Sequence, residues 1–122
     1  MIIDSSEYWA SELKALLEAQ GLSVPAWHTK GTGWFEGLKN PALKWVFIED
    51  QLPSRSGLQC IEKMAESSVF EGHVVFMHSL QGGAAAALEC LAYTWGVRFV
   101  LRKPFRPAEL RKMLALVADV VV

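Results

Sequence analysis

An excess of charge of either sign is missing from this sequence. Its 12 Lys and Arg stand against 13 Asp and Glu, for a formal charge of −1. That balance gives no electrostatic case for nucleic acid or for an anionic membrane as partner. Cysteine is scarce as well. Cys60 and Cys90 lack the paired spacings that hold zinc, and both are expected to be reduced core thiols of a cytoplasmic protein. No uninterrupted apolar run approaches the roughly 20 residues that a membrane-spanning helix needs. The chain passes almost at once into Asp4, Ser5, Ser6 and Glu7, without the apolar stretch of a secretory signal. Repeats, low-complexity tracts and internal linkers are missing too. The expectation is therefore a single domain over 1–122, with any output domain elsewhere.

Core-forming residues are plentiful. Hydrophobic residues make up 52% of the chain, with five Trp and six Phe, enough to bury a sizeable interior. Met1 to Ile3 reads as a very short strand. Trp9, Leu13, Leu16 and Leu17 recur at helical spacing until Gly21. Leu22 to Trp27 reads as a strand that Pro25 confines to a sheet edge. Gly31, Gly33 and Gly37 oppose the helix that should follow. Residues 44–48 form a near-continuous apolar strand of the kind covered on both faces. A helix with Leu58, Ile61 and Ala65 on one side comes next, then a strand from Val74 to Met77. Gly82 and Gly83 read as a hinge before an alanine-rich helix that runs to Tyr93. Val97 to Leu101 is the fifth strand. Pro107 suits the first turn of a last helix, with Leu110, Met113, Leu114 and Val117 facing inward.

Five strands alternating with five helices predict an α/β fold with a doubly wound, five-stranded parallel sheet in the order 2-1-3-4-5, flavodoxin-like. Sites in such sheets lie at the carboxyl ends of the strands. Asp4, Ser5, Glu49, Asp50, His78, Ser79 and Lys103 are expected to gather there. Zinc has no support, because His28, His73 and His78 fit no ligand spacing. The Gly82-Gly83 pair lacks the Lys and Ser/Thr of a phosphate loop, and no Ser/Thr-rich loop follows strand one, which counts against flavin or nucleotide. Trp34 and Trp95 lie near element ends and are candidates for partner contact.

Two segments carry a family resemblance. One is Trp45-Val46-Phe47-Ile48-Glu49-Asp50-Gln51-Leu52-Pro53, with Gly57 four residues on. The other is Leu101-Arg102-Lys103-Pro104-Phe105, preceded by Gly96. In order and on the right strands, they resemble the signature segments of bacterial response-regulator receiver domains, and the likeness runs from Ile2 to about Val117. The resemblance implies the receiver type of the fold above. It also implies a strand-end aspartate that accepts a phosphoryl group, carboxylates that hold magnesium, a Ser or Thr that senses the phosphoryl group, and a lysine that grips it. Lys103 matches the lysine, ahead of a proline whose peptide bond is typically cis in the family. Asp4 matches the first acid after strand one, but Ser5 replaces the second. Glu49 stands where the acceptor aspartate belongs. His78 takes the switch-hydroxyl position, or Ser79 after a slip of one residue. Val100 replaces the switch aromatic, with Phe99 beside it.

Three roles are open to Glu49: nucleophile, built-in mimic of phospho-aspartate, or structural carboxylate paired with Lys103. As a nucleophile it reaches about 1.5 Å too far, and misplacement on that scale costs on the order of a hundredfold. Asp50 as acceptor would require a one-residue slip that flips every side chain of the strand. Asp4, Glu49 and Gln51 are the candidates for magnesium, and the loss of an acid at Ser5 implies weak binding. The expected function is an atypical, phosphorylation-independent receiver. It would act as a non-enzymatic protein–protein module of a bacterial two-component-like pathway, with no required cofactor. The alternative is a functional phosphoacceptor with an altered magnesium requirement, using Glu49 or Asp50. Its partner, including a second copy of the chain, would meet the surface of 84–99 and 106–117.

Overall fold

The computed structural model describes residues 1–24, 27–28, 33–53 and 55–120. In chain order they form β1 (Ile2–Ile3), α1 (Glu7–Ala19), β2 (Trp27–His28), α2 (Trp34–Gly37), β3 (Trp45–Glu49), α3 (Gly57–Ser67), β4 (His73–His78), α4 (Gly82–Thr94), β5 (Phe99–Arg102) and α5 (Pro107–Val120). All neighbouring strands pair in parallel, in the order β2-β1-β3-β4-β5. That is the doubly wound sheet the alternation of elements predicts. No helix among the described residues is long and apolar enough to cross a membrane.

Successive side chains on a strand leave opposite faces, and this sorts the core into two layers. Ile3, Val46, Ile48 and Phe76 meet Trp34, Ile61 and Ala92 on the side of α2, α3 and α4. Ile2, Phe47, Val75, Met77 and Leu101 meet Leu13, Leu17, Leu110 and Met113 on the side of α1 and α5. Helix starts follow local chemistry. Ser6 caps α1 by accepting from the Trp9 N–H at 3.3 Å. Ser56 and Gln59 form a reciprocal capping box at α3.

Several expectations need correction. The second strand is two residues long and does not begin at Leu22. The Leu22 N–H instead closes the end of α1 on the Leu17 carbonyl at 3.1 Å, with Gly21 left-handed at φ 84°. Pro25 and Gly31 lie outside the described residues. The helix of Gly33 and Gly37 is one turn, Trp34–Gly37. Trp34 is 2% exposed, so it is core and not a partner contact, while Trp95 is half-buried against the same core. The buried stripe of α3 runs through Gly57, Cys60, Ile61 and Met64, which leaves Ala65 exposed. Its helical period starts at Gly57, not Leu58. Cys90 is exposed, unlike Cys60. Apolar residues surround α4 on all sides, so its periodicity could not say which would be buried. Gly82 and Gly83 are the first two residues of that helix, not a separate hinge.

Gly57 is needed where α3 crosses the end of β3. Its N–H donates to the Asp50 carbonyl at 2.6 Å. A Cβ there would collide with the Glu49 carbonyl and stand 2.9 Å from Asp50 Cα, whereas one at Gly83 meets nothing within 4 Å. Gly57→Ala should destabilise by about 1–3 kcal/mol. Gly83→Ala should be neutral or stabilise by up to about 1 kcal/mol through helix propensity. Denaturant midpoints check the pair, and equal shifts would contradict the close approach.

Candidate functional site

The alternation that sorts the core also sorts the polar residues at the carboxyl ends of the strands, into two clusters. Asp4, Glu49 and Lys103 continue the parity of Ile2, Phe47 and Leu101, so they emerge on the α1/α5 side. The pairing of Ile3 with Ile48 sets Asp4 beside Glu49. Lys103 Nζ lies 2.7 Å from Asp4 Oδ2 and 2.6 Å from Glu49 Oε2, with the three side chains 5%, 2% and 9% exposed. The remaining oxygens are also engaged. Asp4 Oδ1 accepts from the Ser6 N–H at 2.9 Å, and Glu49 Oε1 accepts from the Gln51 N–H at 3.3 Å. The face of Trp9 lies 5.4 Å from Nζ, and its ring packs on Phe105. The Lys103 N–H donates to the His78 carbonyl at 2.7 Å, and the bond to Pro104 is cis.

Two carboxylates share one ammonium in a largely buried site. Burial raises the Glu49 pKa above the usual carboxylate range. The Lys103 ammonium and the Gln51 N–H pull it down, and the charge of Asp4 adds to the rise.

His78 and Arg102 have the opposite parity, are register neighbours on β4 and β5, and face α4. There Glu89 joins them. Its Oε2 lies 2.6 Å from both His78 Nε2 and Arg102 Nε, and Oε1 accepts from Arg102 Nη2 at 2.9 Å. The Leu80 N–H donates to His78 Nδ1 at 3.1 Å, which leaves the proton of the neutral ring on Nε2, directed at Glu89. The Arg102 guanidinium holds the Glu89 carboxyl down at about 2, with burial opposing and His78 assisting.

The sequence expected one gathering of seven residues, and the structure divides it. Asp4, Glu49 and Lys103 touch. Ser5 is exposed, its hydroxyl 3.5 Å from the Gln51 carbonyl. Asp50 turns away from Lys103 to accept from the Leu58 N–H at the start of α3. Burial raises its pKa, while that bond and His78 lower it. His78 is buried and belongs to the other cluster, and Ser79 is exposed. Glu49, Asp50, Gln51, His78, Ser79 and Leu80 line a small cavity of about 70 Å³ between them. Val100 packs on the α3/α4 core and Phe99 on the opposite one. Trp9, Glu89 and Arg102 are site residues that the sequence reading missed. The parity of Arg102 against Lys103 was the signal for one of them.

These donors do not fit a resident divalent cation. Both carboxylates among the magnesium candidates are already held by Lys103, and Gln51 meets the site through its backbone N–H and carbonyl. Among the described residues no group of three His, Cys, Asp or Glu is arranged to hold a metal.

The sequence model described as the response regulator receiver domain matches residues 1–115. Solved structures share the architecture. A two-component response regulator from Clostridium difficile is 20% identical, with a TM-score of 0.83, over 99% of this chain and 96% of that one. A CheY-like response regulator receiver domain protein from Methanospirillum hungatei JF-1 is 16% identical, with a TM-score of 0.80, over 97% and 90%. The beryllofluoride-activated NtrC4 receiver domain dimer is 20% identical, with a TM-score of 0.75, over 97% and 91%. At these identities the likeness speaks for the fold alone. No curated protein matches the sequence.

Breaking the shared ammonium site from one side leaves buried charge uncompensated, so Lys103→Ala should cost about 3–5 kcal/mol. Glu49→Gln should cost less, because Asp4 still holds the lysine. The double variant should cost less than the sum. The pH dependence has a definite sign. Since the folded pKa of Glu49 is raised, its contribution to stability is full below the unfolded carboxylate pKa and is lost as pH rises through the folded value. Glu49→Gln should therefore gain on the wild type as pH rises across that window. Urea unfolding at several pH values measures both effects, and additive costs or the opposite slope would contradict them.

Proposed function

The chain belongs to the response regulator receiver domain family, and on that premise we propose that it is a phosphorylation-independent receiver that signals through protein contact. The observation that carries this reading is the engagement of Lys103 by two of the chain's own carboxylates. By the family resemblance, Lys103 is the residue that would grip a transferred phosphoryl group, and Glu49 stands at the acceptor position. The extra methylene of Glu49 extends its carboxylate to Lys103, so the lysine is neutralised from within the chain. Glu49 then acts as a standing carboxylate partner of the lysine, whether read as a mimic of the phosphorylated acceptor or as a structural pair.

Phosphoryl transfer to Glu49 would demand two things that the pocket does not favour. Lys103 would have to leave two buried anions, at the cost of breaking a buried ion pair. The charge on the phosphoryl oxygens would also need a metal, and Ser5 stands where the family has its second acid. The switch is altered as well. His78, at the position of the sensing hydroxyl, has its Nε2–H engaged by Glu89, away from Lys103.

Receivers act on other proteins, and the surface we assign to that role comprises α4, β5 and α5. Leu91 and Tyr93, on opposite flanks of α4, and Leu116 of α5 are large apolar side chains exposed on these elements, and Ala84, Ala86 and Ala87 are exposed small residues of α4. The NtrC4 neighbour is a receiver dimer, which supports a second copy of this chain as one partner for the face. In this reading the protein is a cytoplasmic component of a bacterial two-component pathway and not an enzyme.

Incubation with acetyl phosphate and magnesium, followed by intact-mass spectrometry, should leave the mass unchanged. A stoichiometric gain of one phosphoryl group, mapped to Glu49 or Asp50, would establish the alternative of a working phosphoacceptor.

A further inference from the structure

Helix α4 carries much of the proposed interaction face, yet it is slenderly anchored to the sheet. Its fully buried residues are Ala85 and Ala92, each contributing only a methyl group, with Leu88 packing in part. Its N-cap, Gln81, makes no side-chain capping bond, and Gly82 follows in a left-handed conformation at φ 63°. Neither apolar burial nor capping therefore fixes this helix firmly. Glu89 compensates. It lies on the third turn of α4 and meets the ends of both adjacent strands, His78 of β4 and Arg102 of β5.

We propose that Glu89 is a latch: its carboxylate, gripped by Arg102 and His78, fixes α4 against the sheet and so sets the arrangement of the exposed Leu91 and Tyr93 on that helix. The bonds differ in kind. Arg102 grips in a fork, with Nε and Nη2 on separate oxygens, a geometry that resists rotation of the carboxylate. Its side chain is 56% exposed, so solvent screens this part. His78 is 1% exposed, and its bond is shielded from water. The same ring accepts from the Leu80 N–H, so the loop entering α4 is tied to the cluster that holds the helix. Four elements of structure thus depend on one carboxylate. The signalling meaning of the latch rests on the reading of α4 as part of the interaction face, whereas the latch itself rests on these contacts.

Hydrogen–deuterium exchange on the full chain, without phosphodonor or magnesium, tests it. In Glu89→Ala, amides of α4 should exchange about tenfold faster or more, while those of α1 and α3 stay within about twofold of wild type. Alanine is the better helix former, so lost protection in α4 would not reflect helix propensity. Glu89→Gln keeps the shape and removes the charge, and should fall between. Unchanged protection of α4, or equal acceleration in every helix, would overturn the latch. A second measurement needs no variant: ring nitrogen NMR of His78 should find the proton on Nε2, and a proton on Nδ1 alone would overturn it. Phosphorylation by acetyl phosphate would defeat the proposed function and leave both of these results standing.

Discussion

Side chains along a strand must leave alternate faces of the sheet, and in a parallel sheet with helices on both sides neither face is open to water. The core obeys this, with Phe47 on one layer and Val46 and Ile48 on the other. The same constraint continues past the last apolar residue of each strand. Lys103 and Arg102 are adjacent in sequence, yet one turns to Asp4 and Glu49 beneath α1, and the other to Glu89 on α4. Two charge clusters lie back to back across the end of one sheet.

The clusters solve different physical problems. Asp4 and Glu49 are buried acids that would repel one another, and a single ammonium, with Trp9 against it, makes their proximity tolerable. The cluster around Glu89 lies at the surface edge and gives a small-residue helix a directional hold that burial does not provide. They are joined through the backbone, since the Lys103 N–H donates to the His78 carbonyl. In this account the first cluster removes the need for a phosphoryl group at the strand ends. The second holds the helix that carries much of the proposed interaction face.

The fold was legible in the sequence where patterns were long. The apolar strands, the Gly21 stop and Pro107 gave the element order, and the edge strand gave the topology. Failures came where pattern carries little information. A two-residue strand has no periodicity, and the N–H of Leu22 was taken by the end of α1 that Gly21 marks. Cys90 and Ala65 were misjudged because a helix rich in small apolar residues, or one read a single position out of phase, hides its buried face. The candidate site was read as one pocket, because listing strand-end residues ignores parity. Counting from Phe76 and Leu101, which belong to opposite core layers, would have separated His78 from Lys103. Glu89, on a helix with no motif, offered no comparable signal.

The central claim is that Lys103 is satisfied by Asp4 and Glu49, so the resting domain does not respond to the ligands of a phosphorylation site. Amide NMR spectra recorded with and without magnesium and beryllofluoride test it most directly. The account predicts no saturable shifts at Asp4, Glu49, Lys103 or along α4. Saturable shifts at those residues that spread into α4 and β5 would contradict it.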